Sequence, residues 1–247
     1  MQTRLTVSHQ GRIFINFPKW GDEVPFTLSE IRDGGNAVPY PDEATNQTSP
    51  NDPAAALVSV QSVVVNPSAL PTTYLNDVQF DLRRGSQGMA FITDSSQNGP
   101  NGIIVVDLDS GDSWRRLHDH PSTKAEQLKT FLPIVEGRPF LEYQQPGGSV
   151  KHGGAAMGAD GIAISSDGGR LYYCPLGSRK LYSVSIDALA DKSLDEQKVG
   201  ASVADEGYRG SASDGLESDA AGYIYSTNYE HNAILRRGPD SKWETST

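Results

Sequence analysis

The chain has 247 residues, 36% hydrophobic and 21% charged, with 25 Gly and 15 Pro, which is enough to bury a core and favours many turns over long helices. Its formal net charge of −10 argues against a phosphate backbone as partner, because that needs a basic face, and equally against an anionic membrane surface. A divalent cation or a neutral or basic small molecule is the easier partner. The lone Cys174 leaves no intrachain disulfide framework and reads as a small core residue. No stretch reaches the roughly 18–20 apolar residues of a membrane span. The N-terminal MQTRLTVSHQGRIFINFP has no apolar signal-peptide core and already reads as strand.

In chain order the elements are hairpins. LTVSHQGRIFIN, from Leu5 to Asn16, is an apolar strand, a polar turn ending in Gly, and a second strand carrying an aromatic. FTLSEIRDGGNAVPYPDE follows, with Asp33-Gly34-Gly35-Asn36 turning between two more strands. The segment from Glu43 to Ala56 reads as loop and carries the sequon Asn46-Gln47-Thr48. VSVQSVVV is a β-branched run suited to a buried strand. The opening phrase then returns three times, as VQFDLRRGSQGMAFITD (78–94), IAISSDGGRLYYCP (162–175) and LESDAAGYIYSTN (216–228). GIIVVDLDS and SWRRLHDH complete the sheet begun at 76. From Pro121 to Ala159 the Gly, Pro and Gln content predicts a long loop, with a short helical turn at KAEQLKTFL.

Hairpins repeating at this spacing predict an all-β fold, a β-propeller in which each blade is a small sheet around a central channel. Read as one domain over 1–247, the blades fall roughly at 5–55, 76–145, 160–205 and 214–247, with a stump at 56–75. Only 15 residues separate Gln61 from Asn76, against the roughly 40–50 of a blade. The expectation is an incomplete, open ring with four recognisable blades. Its unpaired sheet edges would invite self-association.

The site candidates come from position. A polar residue stands just before each inner strand: Gln61, Asn76, Asp160 and Asp214. In a propeller these converge at one end of the channel. Two carboxylates and two amides form an all-oxygen set suited to Ca²⁺ or Mg²⁺, with Asn76, Asp160 and Asp214 as the metal ligands. The same residue types also cap turns by bonding backbone N–H groups. Asp160 and Asp214 share an A-D-G or S-D-G setting. Strand alternation points Asp77 away from the side Asn76 faces, toward a structural hydrogen bond. Tyr229 and Glu230 follow the aromatic strand of the last blade and line the channel beside Asp214 or cover the blade edge. Lys19 and Trp20 hold the matching place in the first. His152, in a Gly-rich loop, is the one histidine suited to acid–base work. His118 and His120 stand two apart with no third ligand near. The pairs Arg83-Arg84 and Arg115-Arg116 read as carboxylate bridges between blades.

Several long phrases carry a family likeness: LNDVQFDLRRG, GIIVVDLDSGDSWRRLHDHPS, GADGIAISSDGGRLYYCPL and ASDGL followed by YEHNAILRRGPD. The chain resembles the major royal jelly protein / yellow family, and more distantly the senescence-marker and gluconolactonase propellers. The resemblance implies a six-bladed propeller, usually secreted, here without part of one blade after VQSVVV and without a last blade after RRGPD. The gluconolactonase likeness implies a divalent metal held by carboxylate and Asn oxygens on inner strands. For function it implies a small-molecule-binding protein with catalysis unassigned. The alternatives are a metal-dependent lactonase-like hydrolase, a dopachrome-type isomerase, or a non-catalytic interaction or nutritive protein.

Overall fold

A computed structural model of the chain describes residues 4–7, 12–17, 24–32, 35–46, 68, 70–126, 131–140, 142–143, 150–151 and 156–246. They fall into two compact units, Met1–Asn66 and Pro67–Thr247. In the first, β1 (Arg4–Val7), β2 (Ile13–Asn16), β3 (Leu28–Arg32) and β4 (Asn36–Pro39) form one antiparallel sheet in sequence order. The first hairpin pairs Leu5 with Ile15. The segment after β4 is not all loop. A short helix, α1 (Glu43–Asn46), begins where Asp42 Oδ1 accepts the Thr45 N–H at 2.7 Å, the usual chemistry of a helix start. Asn46 then staples the unit together. Its Oδ1 accepts from Thr27 N (3.1 Å) and Leu28 N (2.9 Å), and its Nδ2 donates to Tyr40 O and Asp42 O. The sequon asparagine is therefore buried and fully engaged.

The second unit holds three more sheets of the same kind. The first contains β5 (Leu75–Asp81), β6 (Met89–Asp94), β7 (Gly102–Asp107) and β8 (Ser113–Arg116). Between it and the next lie two short hairpins, β9 (Ile134–Val135) with β10 (Arg138–Pro139) and β11 (Glu142–Tyr143) with β12 (Val150–Lys151). This stretch, expected as loop, is thus partly paired. A 3-10 turn stands at Pro121–Thr123, and the helical turn expected at KAEQLKTFL falls largely on residues 127–130, which lie outside the described residues. The second sheet contains β13 (Ala159–Ile164), β14 (Arg170–Pro175), β15 (Lys180–Ser185) and, after two short helices, β16 (Ala204–Tyr208). The helices α2 (Ile186–Ala190) and α3 (Glu196–Ala201) were not expected, although Ser185 and Asp195 stand at their starts as side-chain caps. The third sheet contains β17 (Leu216–Ser218), β18 (Ile224–Asn228), β19 (Ala233–Arg237) and β20 (Trp243–Ser246).

Each of the four larger sheets is a four-stranded antiparallel meander, the form of a β-propeller blade, and the fold is all-β of the propeller class. In the second unit β13 lies against both β5 and β17, which makes the first strand of each blade the innermost. The β13–β16 blade is consequently buried on both faces, and strand alternation divides its side chains. Leu171 and Tyr173 of β14 join Phe91, Ile103 and Val105 of the preceding blade. Cys174, one residue on, joins Ala163, Leu181 and Leu216 toward the following blade. Each fully buried Leu or Ile here contributes about 1.5–3 kcal/mol.

Two glycines set backbone geometry on this blade, and one of them lies beside the site. Gly168 (φ 72°) closes the β13–β14 turn, with Asp167 Oδ1 accepting the Gly169 N–H at 2.9 Å. Gly161 faces the next inner strand so closely that a Cβ would stand 2.8 Å from Leu216 N and 2.9 Å from Gly215 Cα. Asp160 and Asp214 sit on either side of this contact.

Candidate functional site

The inner strands begin irregularly. The pairing of β5 with β6 slips between Leu75 and Val78, and that of β13 with β14 slips between Ala159 and Ile162. Bulges of this kind re-aim side chains. Here they turn Asn76 and Asp160 toward each other, and the Asn76 amide donates through Nδ2 to Asp160 Oδ1. The same Nδ2 reaches Ser95 Oγ at 3.2 Å, and Ser95 Oγ donates to Ala159 O at 2.5 Å. Asp160 is 2% exposed, and its second oxygen, Oδ2, has no hydrogen-bond partner among the described residues.

The electrostatics follow. Burial, then the nearby carboxylates of Asp214 and Asp77, push the Asp160 carboxyl up to about 8, and the Asn76 hydrogen bond opposes them only in part. Asp214 is exposed, just before β17. Its backbone N–H and that of Gly215 both donate to Thr227 Oγ1, at 3.1 and 3.0 Å. Asp77 takes the structural role expected of it: its Oδ2 accepts the Ile162 N–H of the next blade at 3.2 Å. Asn76, Asp160 and Asp214 are thus brought into one neighbourhood.

Glu230 and Tyr229 are engaged in structural contacts. Both oxygens of Glu230 are engaged, by Arg179 Nη2 (2.6 Å) and Nε (2.8 Å) and by the backbone N–H groups of Ile134 (3.0 Å) and Ala212 (2.8 Å). Burial raises its carboxyl, but these donors outweigh burial and hold it below the ordinary range. Tyr229 is half-buried against Phe131 and Ala212, donates to Leu176 O at 3.2 Å, and has its phenol raised by burial. These two residues anchor the segment around 131–134 to the blades. Gln61, His152, Lys19 and Trp20 lie outside the described residues. His118 Nδ1 accepts from Arg115 Nε at 3.0 Å, and His120 Nδ1 faces Ser122, so the two do not act as a pair. Cys174 is fully buried and its thiol is raised by burial, as a core residue requires.

Reading single positions missed the second strand of each blade. Thr93 Oγ1 accepts the Asp77 N–H at 3.0 Å as Thr227 Oγ1 accepts that of Asp214. The signal was present as the repeated pairs Thr93-Asp94 and Thr227-Asn228, each opposite the start of an inner strand. In the middle blade Cys174-Pro175 stands there instead, so the backbone at Asp160 has no such hydroxyl.

A family model described as "Major royal jelly protein" matches residues 59–247, well over half of the chain. The chain belongs to the major royal jelly protein family. No curated protein matches it. Among solved structures it is similar to regucalcin, a calcium-binding protein from Agrobacterium tumefaciens, at 15% identity and TM-score 0.46, covering 98% of this chain and 58% of that one. A gluconolactonase from Xanthomonas campestris gives 11% identity and TM-score 0.45, with coverage of 99% and 61%. A luciferin-regenerating enzyme gives 12% identity and TM-score 0.49, with coverage of 100% and 62%. The chain spans 58–62% of the length of these structures.

The phrase SWRRLHDHPS, one of the most specific marks of the royal jelly resemblance, lies at a joint between blades. Trp114 Nε1 donates to Leu189 O at 2.8 Å. Arg116 pairs with Glu196 at 3.1 Å and reaches the carbonyls of Leu189, Asp191 and Leu194. With Arg84 pairing to Asp187, these are the expected carboxylate bridges between blades.

Proposed function

We propose that this royal jelly family member binds a small polar molecule at the inner-strand ends around Asp160, through a divalent cation held by Asp160, Asp214 and Asn76. One observation carries the reading: a carboxylate oxygen nine-tenths buried, without a hydrogen-bond partner, beside a second carboxylate and an amide. A buried carboxylate without a cation is costly, and the donor set is all oxygen, which suits Ca²⁺ or Mg²⁺. Among the described residues no three His, Cys, Asp or Glu side chains gather as a metal group. The cation therefore depends on the amide and on the bound molecule to complete its shell. When bound, it supplies positive charge and polarises an oxygen of that molecule.

The second reading is that Asp160 holds a proton and donates a hydrogen bond to the molecule directly, which its raised value near 8 favours. Calorimetry with Ca²⁺ and Mg²⁺, then with lactones, catechols and biogenic amines, separates the two. On the cation reading Ca²⁺ binds with Kd of about 0.1–1 mM, the range of loosely built sites, and Asp160→Asn and Asp214→Asn each weaken it at least about tenfold. Unchanged cation binding in Asp160→Asn would overturn it. Turnover of a lactone by the cation-loaded chain would extend the reading to a hydrolase. Family membership supports an extracellular location, and among the described residues no helix is long and apolar enough to cross a membrane.

A further inference from the structure

His120 caps the 3-10 turn at Pro121–Thr123 and heads a hydrogen-bond chain into the core. Its Nδ1 accepts the Ser122 N–H at 3.3 Å and lies 2.7 Å from Ser122 Oγ. Ser122 Oγ in turn lies 2.6 Å from the hydroxyl of Tyr173, a fully buried residue of β14 stacked on Tyr182 with ring centroids 5.9 Å apart. The chain crosses from the end of the β5–β8 blade into the β13–β16 blade. The bend that delivers it is strained: Leu117 (φ 51°) and Asp119 (φ 56°) both adopt the left-handed conformation that residues with a side chain rarely take. Such a bend persists because contacts on both sides hold it.

We propose that His120, Ser122 and Tyr173 form a pH-sensitive clasp between these two blades, closed while the imidazole is neutral and released when it gains a proton.

Because Nδ1 accepts from a backbone N–H, it carries no hydrogen in the closed clasp. Ser122 then donates its hydroxyl hydrogen to Nδ1 and accepts that of Tyr173, which satisfies all three groups. A proton on Nδ1 sets two donors, Nδ1–H and Ser122 N–H, against each other. It also takes away the acceptor of the Ser122 hydroxyl, so that one hydroxyl hydrogen of the Ser122–Tyr173 pair loses its partner within a buried site. The groups facing the ring do not offset this. Glu196 of α3 favours the proton, but its oxygens are already held by Arg116 and the Leu117 N–H. Asp119 and Lys124, on the ring's own loop, pair with each other at 2.8 Å. Gly200 packs on the other side, where even an added Cβ would stand 3.4 Å from Nε2. Burial, the larger influence, lowers the His120 value. A base lowered in the folded state gives stability that is present above its unfolded value, about 6.5, and lost as pH falls toward the folded one.

The decisive comparison is wild type against His120→Asn. Asparagine is a good turn cap and keeps an acceptor for Ser122, but it does not titrate. Between pH 7.5 and 5.5 the wild-type Tm should fall by about 2–4 °C more than that of the variant. Amide protection at 117–123 and 170–175 should drop in the wild type alone. Parallel Tm curves would overturn the clasp. Should the variant fail to fold, NMR titration of His120 in the wild type decides: a midpoint clearly below 6.5 supports the clasp, and one at or above it overturns it.

Discussion

Among the described residues, four acidic side chains of the second unit are buried, and three of them are treated alike. Asp81 accepts from Arg83 Nε at 2.7 Å and Arg84 Nε at 3.1 Å. Asp94 takes Arg115 Nη2 at 2.5 Å, Thr73 Oγ1 at 2.8 Å and the N–H groups of Tyr74 and Ser96. Glu230 takes both arms of Arg179 and two N–H groups. Asp160, as buried as Asp81, receives one amide hydrogen and no arginine. The difference teaches that burial alone does not set the role of a carboxylate. Where an arginine fork and backbone donors fill the lone pairs, the group is a joint. Where they do not, the fold carries a charge-solvation cost that a ligand, a cation or a proton must relieve.

The sharpest way to break this contrast is to unpair a saturated carboxylate. Arg115→Ala leaves Asp94 fully buried and without its cation. The expected loss is about 3 kcal/mol, the lower end for a broken buried pair because three other donors remain. It should appear as a lower urea midpoint at unchanged m. A loss under about 1 kcal/mol would mean that Asp94 does not need its arginine, and the distinction from Asp160 would collapse.

The next effect is smaller and reversed in sign. The folded Asp160 value, about 8, lies above the unfolded one near 3.9. Its contribution is therefore fully present below about pH 4 and lost as pH rises through about 8. Asp160→Asn keeps the shape and an acceptor for Asn76 but has no charge to bury. With metal chelated, it should match the wild type at pH 5 and exceed its Tm by about 2–4 °C at pH 9. A variant that is less stable at every pH would show that Asp160 is another joint. This slope runs opposite to the one inferred for His120, so the two groups are separable in one set of melting curves.

The legible part of this molecule was whatever repeats. Four strand–turn–strand phrases of similar length marked the first two strands of every described blade, because turn chemistry and period-two alternation are local. Asn76, Asp160 and Asp214 were found the same way, as equivalents in a repeat. What escaped the sequence was nonlocal or small. Helices α2 and α3 are too short for a clear 3.6-residue period, and only their caps, Ser185 and Asp195, announced them. The sequence leaves Glu230 open between channel and blade edge, because nothing near it in sequence shows that Arg179, Ile134 and Ala212 converge on it. The family phrase SWRRLHDHPS gave a name to the chain but not a site. Its polar residues matter through partners some 50–80 positions away.

The smallest effect belongs to a pair that resembles the buried ones only on paper. Arg236 and Glu244 are cross-strand neighbours on β19 and β20, with Nε and Oε1 at 3.0 Å. Both side chains are exposed, 37% and 58%, and they share a solvated face of the last blade with Glu217 and Tyr225. Water already serves both ions, Coulomb attraction is weak at high dielectric, and Arg236 keeps its stacking over Tyr223, 4.7 Å from the ring centroid, when the glutamate is gone. Glu244→Ala should therefore cost less than about 0.5 kcal/mol, and 0.5 M salt should remove even that difference, because screening acts fully on exposed pairs. The same variant tests the self-association proposed for open sheet edges. Strand β20 is the edge of its sheet, and a charge there blunts pairing with another chain. Sedimentation should show Glu244→Ala associating at lower concentration than the wild type. A stability loss above about 1 kcal/mol with unchanged sedimentation would place Glu244 among the joints instead.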